Sequence, residues 1–156
     1  MNDHNGYTEL ARQNHLYETI ISNTPDLVYV FDLNYRFTFA NEAILQMWGR
    51  TFEESVGKSL LEVGYEPWHA EMHEKEIDQI VRTKQPVRGE VAFQHSKLGK
   101  RIYDYILVPV FNDKNEVVSV AGTTRDITER KKNEFSDALL SAIINDSDDA
   151  IISKNL

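Results

Sequence analysis

The stretch A-G-T-T-R-D-I-T-E-R-K-K-N-E, residues 121–134, is the most informative part of the sequence because its pattern changes from strand to helix at Asp126. An Asp at such a junction can accept hydrogen bonds from the first amides of a helix or pair with a cation. The next residue, Ile127, can anchor the junction in apolar surface. We therefore predict a strand that ends at Asp126 and a helix over residues 127–145.

The residues before this junction predict a mixed architecture. Residues 26–33 and 36–41 are typical of a hairpin, and three more strand-like runs follow Pro86. Between the two groups, Asn41 is placed to cap a short helix, and Pro67 opens a longer one. Two strands before the helices and three after them predict an α+β fold, a five-stranded antiparallel sheet with short helices on one face. The predicted apolar face of the longer helix comprises Ala70, His73, Ile77, Ile80 and Val81.

We divide the chain into four segments. Residues 1–22 are an N-terminal amphipathic helix, 23–126 the core domain, 127–145 a C-terminal linker helix and 146–156 the start of a second, truncated copy of the domain. The last assignment depends on L-L-S-A-I-I-N-D-S-D-D-A-I-I-S-K-N-L, residues 139–156, which resembles L-Y-E-T-I-I-S-N-T-P-D-L-V-Y-V-F-D-L earlier in the chain without a gap. We therefore expect a fragment of a tandem-domain protein.

These segments resemble a PAS domain over about residues 16–134. The D-I-T tripeptide that begins at Asp126 resembles the family's motif between its last strand and its outgoing signalling helix. The segment F-D-L-N-Y-R-F-T-F-A-N-E-A, residues 31–43, resembles the family's first hairpin and the Asn that caps its first core helix. The resemblance implies a non-catalytic sensory module of a multidomain bacterial signalling protein such as a sensor histidine kinase.

The resemblance leaves two roles open. In the first, the domain binds a small molecule or relays a conformational signal to an output domain through Asp126, Ile127 and Thr128. In the second, it is a ligand-free scaffold for homodimerisation and domain spacing. The same side chains can line a ligand pocket or simply fill the core, and we expect a filled or nearly filled interior. The ligand-binding residues that the resemblance implies are Tyr29, Phe31, Leu60, His73, Ile77, Phe93, Tyr103, Tyr105 and Thr124.

A haem or flavin redox sensor is a weaker alternative, and the sequence requires no cofactor. His73 on the apolar face of the long helix is the candidate axial ligand, although most such histidines are hydrogen-bonded packing residues. For His69 and His73 as a metal-binding pair, surface positions are the safer interpretation. In the light-oxygen-voltage branch of the family a flavin-bonding cysteine follows a glycine by three residues, and here Leu60 follows Gly57. Thr124 stands where a flavin-binding glutamine is expected. The two histidines lack a third ligand, so we predict no metal site.

The composition limits the partners. The 156 residues include 17 Lys and Arg against 25 Asp and Glu, a formal charge of -8 that disfavours nucleic acid. There is no cysteine and no apolar run near the roughly 18 residues that span a bilayer, so we expect a cytoplasmic domain without direct membrane insertion. No nucleophile elbow or phosphate-binding loop is present. The narrow apolar stripes of the terminal helices predict a homodimer, besides contacts with other domains of the same chain.

Overall fold

The computed structural model describes residues 3–154, with side-chain surroundings for residues 5–146. The fold is α+β, with one five-stranded antiparallel sheet and a helix at either end of the domain. In chain order the elements are α1 Asp3–Asn23, β1 Leu27–Phe31, β2 Phe37–Ala40, α2 Glu42–Trp48, α3 Phe52–Ser55, α4 Pro67–Thr83, β3 Val87–His95, β4 Gly99–Phe111, β5 Val117–Asp126 and α5 Thr128–Lys154.

The strand order β2-β1-β5-β4-β3 places the last strand in the middle of the sheet. β5 pairs with β1 on one side, where Leu27 lies opposite Thr124, and with β4 on the other, where Tyr105 lies opposite Thr124. The two ends of the domain are therefore adjacent, and α5 leaves from the central strand.

Local signals set the helix boundaries as predicted. The Asn41 side chain accepts a hydrogen bond from the amide of Ile44 at the start of α2, and Gly49 ends that helix with a left-handed φ of 70°. Pro67 opens α4. An N–H in the first turn of a helix has no acceptor within the helix, so a proline there costs no hydrogen bond. Each of these signals acts within about one helical turn, which explains why the sequence reveals them.

The core lies between one face of the sheet and α2, α3 and α4. Its centre holds an aromatic cluster in which the ring centroids of Phe31 and Phe37 are 4.4 Å apart, and Trp48 packs edge-on against Phe37. Leu60, Ile77 and related aliphatic side chains fill the space around this cluster. Burial of these groups supplies the main driving force for folding.

The buried face of α4 differs from the predicted one at two positions. His69 lies outside the predicted apolar face but is only 2% exposed, and His73 is 6% exposed, in agreement with its place on that face. The expectation that the two histidines form a surface pair is therefore wrong. Val81, by contrast, is 39% exposed. The first turn of α4 faces Tyr65 and Phe93, and those rings cover His69. In the last turn Ile80 packs into the core, and Val81 beside it lies on the exposed side of the helix.

The C-terminal helix is longer than predicted, because α5 continues past residue 145 to Lys154. In the similar earlier segment the helix ends at Asn23, before Pro25, and residue 148, the position aligned with Pro25, is Asp rather than Pro. Nothing in the later sequence therefore forces the helix to end. The second repeat over 146–156 remains a prediction, and its last two residues lie outside the described part of the chain.

Both terminal helices expose apolar side chains. On α1 these include Leu10, Tyr17 and Ile20, and on α5 Phe135 and Ile143. In the described part of the chain, no helix combines the length and the apolar character that crossing a bilayer requires.

Candidate functional site

Side-chain hydrogen bonds tie the junction of β5 and α5 to the neighbouring strand β4. Asp126 Oδ2 accepts from Arg101 Nε at 2.7 Å, and Oδ1 accepts from the Thr128 amide at 2.9 Å and hydroxyl at 2.6 Å. The Thr128 hydroxyl also accepts from the Ile102 amide at 2.9 Å. The Ile127 amide donates to the Ile102 carbonyl at 2.9 Å. Three of these hydrogen bonds join the junction to β4, and the other two connect Asp126 to Thr128 within it.

The electrostatics of the junction favour the ionised pair. Burial raises the pKa of Asp126, but hydrogen bonds from Thr128 and Arg101 outweigh it and hold the pKa below its ordinary value. The hydrogen bond to Asp126 raises the pKa of Arg101. Both groups are charged at neutral pH, so their hydrogen bond is charge-assisted. The helix-capping and cation-pairing geometries expected for Asp126 therefore occur together, while Ile127 is buried beside them.

A second junction, at the other end of the domain, is built around Asn41. Its Oδ1 accepts from the amides of Val28 at 3.0 Å and Ile44 at 3.3 Å. Its Nδ2 donates to the carbonyls of Ile21 and Asp26, both at 3.0 Å. One buried side chain therefore connects α1, β1 and α2. The sequence revealed only its capping role.

The interior contains a chain of polar side chains beneath the sheet. The Nε2 atoms of His69 and His73 are 2.9 Å apart, and His73 Nδ1 lies 3.2 Å from Glu76 Oε1. The Tyr105 hydroxyl donates to both Glu76 oxygens, at 3.0 and 3.1 Å. The contact between His73 Nδ1 and Glu76 is poorly directed for a hydrogen bond, so Nδ1 has no aligned partner.

Burial sets the charge state of two of these polar side chains, His69 and Tyr105. Burial and, to a smaller extent, repulsion from His73 together lower the pKa of His69 to about 4. His69 is therefore neutral at physiological pH. Burial also raises the pKa of Tyr105, and the Glu76 carboxylate adds to the effect. The Tyr105 hydroxyl is thus a permanent donor to Glu76.

Two tyrosine rings lie across glycines of the neighbouring strands. Tyr29 covers Gly122, its partner in the β1–β5 pairing, and its hydroxyl is 2.9 Å from Thr124 Oγ1. Tyr105 covers Gly89, its partner in the β3–β4 pairing. A Cβ at either glycine would collide with the ring above it. The glycines therefore make room for the tyrosines that line the interior.

Among the described residues, the polar side chains beneath the sheet border a cavity of about 20 Å³, enough for one water-sized molecule. Two polar atoms around it, His73 Nδ1 and the Tyr103 hydroxyl, are buried without a hydrogen-bond partner among the described residues. A water between such groups would satisfy both. The lining consists of Leu27, Tyr29, Ile44, Met47, Tyr65, His69, His73, Val91, Phe93, Tyr103, Tyr105 and Thr124.

The structure brings most of the predicted ligand-binding residues to this cavity and places three elsewhere. Tyr29, His73, Phe93, Tyr103, Tyr105 and Thr124 line it. Phe31, Leu60 and Ile77 are buried outside its lining. The reason is the aromatic cluster, because Phe37 and Trp48 occupy the space that Phe31 would otherwise face.

The residues present do not fit a haem or a flavin in the interior. A cavity of about 20 Å³ is far smaller than either ring system. The Nε2 of His73, which would have to bind iron, is in contact with Nε2 of His69. The described residues also contain no group of three His, Cys, Asp or Glu side chains arranged to hold a metal ion.

A family model described as PAS fold matches residues 21–132. The chain belongs to the PAS family. Solved PAS structures agree in fold: the PAS domain of Bordetella pertussis BvgS is 22% identical, with a TM-score of 0.60, over 84% of this chain and 98% of that chain. A sensory box sensor histidine kinase from Vibrio cholerae is 15% identical, with a TM-score of 0.54, over 79% and 98%.

A third similar structure is VqmA bound to DPO, 16% identical with a TM-score of 0.62, over 74% of this chain and 57% of that chain. At these identities the likeness shows the PAS fold alone. A comparison with curated proteins gives no match. The chain is therefore a PAS sensory or signalling domain by family.

Sequence reasoning missed the role of three residues in this PAS domain. Glu76 was not singled out, although it lies on α4 one turn after His73 and contacts it. His69 was assigned to the surface. Arg101 was not identified as the cation that Asp126 binds, because strand pairing rather than sequence proximity brings the two together.

Proposed function

We propose that this PAS domain is a cytoplasmic relay within a larger signalling protein, and that it passes conformational change from its interior to α5. The observation that supports the proposal is the junction at Asp126, where one carboxylate binds both Arg101 on β4 and the first turn of α5. A shift of β4 against β5 must change this geometry. The outgoing helix is then biased by the strand that borders the interior polar chain.

The interior can reach the junction along two strands. Thr124 on β5, two residues before Asp126, binds the Tyr29 hydroxyl. Tyr105 on β4, four residues after Arg101, binds Glu76. Movement of either tyrosine therefore acts on a strand that ends in the junction. Such a path is a physical connection, and its energetic coupling can be measured.

A double-mutant cycle tests the relay. Tyr29→Phe removes the hydroxyl that binds Thr124 without touching the junction, and Asp126→Asn weakens the junction. Hydrogen exchange of the amides at residues 128–132 is the readout. We expect Tyr29→Phe to raise their exchange several-fold in the native background and to have no further effect in Asp126→Asn.

The control is Tyr35→Phe, because the Tyr35 hydroxyl donates to Asp78 at the surface, 2.7 Å away. It removes the same atom from a tyrosine whose ring packs against the core but whose hydroxyl forms its hydrogen bond at the surface. Equal effects of the two tyrosine variants on α5, or strictly additive effects of Tyr29→Phe and Asp126→Asn, would rule out the relay.

A ligand-free scaffold is the second candidate, and the nearly filled interior favours it. Native mass spectrometry of the purified chain, compared with its denatured mass, tests the scaffold, whereas the double-mutant cycle above tests the relay. Only the bare chain or its dimer is expected for a scaffold. A retained small molecule would contradict the scaffold and give the relay an input.

Dimerisation forms part of both candidates. We infer a homodimer through the terminal helices, because Ile20 on α1 and Phe135 on α5 are 57% and 70% exposed. Apolar side chains spaced along a helix favour burial against a second helix. The same helices would also contact other domains of the parent protein.

A further inference from the structure

A cleft separate from the small interior cavity opens between the end of α2, the start of α4 and the edge strand β3. Its volume is about 570 Å³, within the usual range of small-molecule sites. The residues that give it its chemical character are Trp48, Arg50, Trp68, His69, Phe93 and Lys100. Met47, His69 and Phe93 line both spaces, so they form the wall between them.

Hydrogen bonds hold the two sides of the cleft together. After β3, the Ser96 amide donates to the Met47 carbonyl at 2.8 Å and its hydroxyl donates to the Gln46 carbonyl at 2.6 Å. Trp48 Nε1 donates to the Tyr65 hydroxyl at 3.3 Å. The cleft is therefore formed before any ligand arrives, which lowers the entropic cost of binding.

One wall of the cleft is aromatic and partly exposed. Trp68 stacks on His69 with ring centroids 5.0 Å apart and an interplanar angle of 15°, and its side chain is still 54% exposed. Its indole N–H is held by Glu66, which fixes the ring. A flat ring can stack on such a surface with a gain in free energy beyond that of burial alone.

The cleft also carries an excess of positive charge in an acidic protein. Arg50 and Lys100 line it, and neither forms an ion pair with another described residue. Arg50 acts on Glu54 only at longer range, where its charge adds to the hydrogen bonds from Thr51 that lower the pKa of that carboxyl. The only acidic side chain in the lining is Glu66, which accepts from Trp68. The whole chain has a formal charge of -8, so two unpaired cations in one cleft mark a place for an anion.

We propose that this cleft binds a small aromatic or heteroaromatic carboxylate, with the ring against Trp68 and the carboxylate neutralised by Arg50 and Lys100. Guanidinium and ammonium groups form strong, charge-assisted hydrogen bonds with carboxylates. The aromatic wall selects a flat ring, and the two cations select a negative charge. The site gives the relay a chemical input.

The cleft lies next to the signalling junction. Lys100 precedes Arg101, the residue that binds Asp126, and Phe93 is the register partner of Arg101 in the β3–β4 pairing. A ligand that restrains Lys100 and Phe93 therefore acts on the strand segment that holds α5. This consequence depends on the proposed relay, whereas binding to the cleft does not.

Both tryptophans of the chain line the cleft, so their indole N–H signals in ¹⁵N-labelled protein report on it directly. The probe is 2-naphthoate, and its control is the neutral 2-naphthamide. We expect 2-naphthoate to shift both indole signals in a saturable way and 2-naphthamide to bind at least about tenfold more weakly. Equal binding of acid and amide, or no saturable shift, would overturn the proposal.

Variants assign the charge selectivity. Arg50→Gln and Lys100→Gln are each expected to raise the Kd of 2-naphthoate about tenfold and to leave 2-naphthamide unchanged. Arg50→Lys should retain most of the affinity. Lys97→Gln, in the loop between β3 and β4 and outside the cleft lining, should have no effect. The proposal fails if Lys97→Gln weakens binding as much as the cleft variants do.

Hydrogen exchange of residues 128–132 with and without 2-naphthoate separates the cleft from the relay. If the probe binds and the hydrogen exchange of residues 128–132 is unchanged, the cleft is a binding site that does not act through the relay. If Tyr29→Phe alters α5 and the probe leaves the indole signals unmoved, the relay stands and the cleft proposal is wrong.

Discussion

At the scale of single residues, Gly122 has the most restrictive surroundings in the sheet. The Tyr29 ring lies directly over its Cα, well inside the space a Cβ would need. Tyr29 is also bound to Thr124, so its ring cannot move without loss of a buried hydrogen bond. The Tyr29 ring can keep this position in the interior only because residue 122 has no Cβ.

We predict that Gly122→Ala lowers the free energy of unfolding by about 2 to 3 kcal/mol, in the upper part of the range of about 1 to 3 kcal/mol that is usual for overpacking a core. Urea denaturation measures the change. The control is Gly6→Ala on α1, where an added Cβ meets nothing within 4 Å and removal of a helical glycine is neutral or stabilising. A loss below about 0.5 kcal/mol for Gly122→Ala would show that Tyr29 can move aside freely.

His69 gives the protein a specific dependence on pH. Burial lowers its pKa from 6.5 to about 4, so the unfolded chain binds the proton more readily than the folded chain in that interval. The contribution of neutral His69 to stability is complete above pH 6.5 and is lost as the pH falls towards 4.

We predict that stability falls between about pH 7 and about pH 4.5 by about 2 kcal/mol more in the native protein than in His69→Gln. Urea denaturation at the two pH values gives both differences. His15→Gln, at an exposed position of α1, serves as the control and should leave the pH dependence unchanged. Identical pH profiles for the native protein and His69→Gln would contradict the assignment.

At the scale of secondary-structure elements, Asn41 joins three of them through one side chain. It caps α2, binds the amide of β1 at Val28 and satisfies the carbonyl of Ile21 near the end of α1. The two terminal helices thus meet the domain at two polar junctions, α1 at Asn41 and α5 at Asp126.

We predict that Asn41→Ala costs about 2 to 3 kcal/mol, because it leaves several buried backbone groups without partners. The matched control is Thr51→Ala, which removes the cap of α3 alone and should cost about 1 kcal/mol. Chemical denaturation gives the two values, and hydrogen exchange should place the extra loss in α1 and β1. Equal costs would mean that the link to α1 carries no free energy.

At the scale of the whole molecule, the terminal helices leave the domain with apolar side chains unburied. We predict that Ile20→Glu raises the dissociation constant of the homodimer at least about tenfold, since it places a charge on the apolar stripe of α1. Sedimentation equilibrium measures it. Ala11→Glu, on the opposite face of α1, adds the same charge and should leave the dimer intact; a native protein that stays monomeric at all concentrations would contradict the dimer.

The sequence by itself was enough for the α+β class, the PAS resemblance and most element boundaries. Asn41, Gly49 and Pro67 act on backbone groups within one turn, so their effect can be read from neighbouring residues. The D-I-T junction is equally local, since Asp126 reaches the Thr128 amide two residues away. The exception is the end of α5, which was predicted at residue 145 from similarity to an earlier segment. That segment contains Pro25, whereas Asp148 at the aligned position allows the helix to continue.

Only the tertiary structure decided which side chains face the cavity, how small it is and where the cleft lies. Tyr29 meets Thr124, and Arg101 meets Asp126, because strands far apart in the chain are neighbours in the sheet. The volume left between them depends on how all the rings pack at once, and Phe31 is excluded from the lining by that packing. Hydrogen bonds between residues close in the chain can be predicted from local sequence, whereas the volume of the cavity depends on the packing of the whole core.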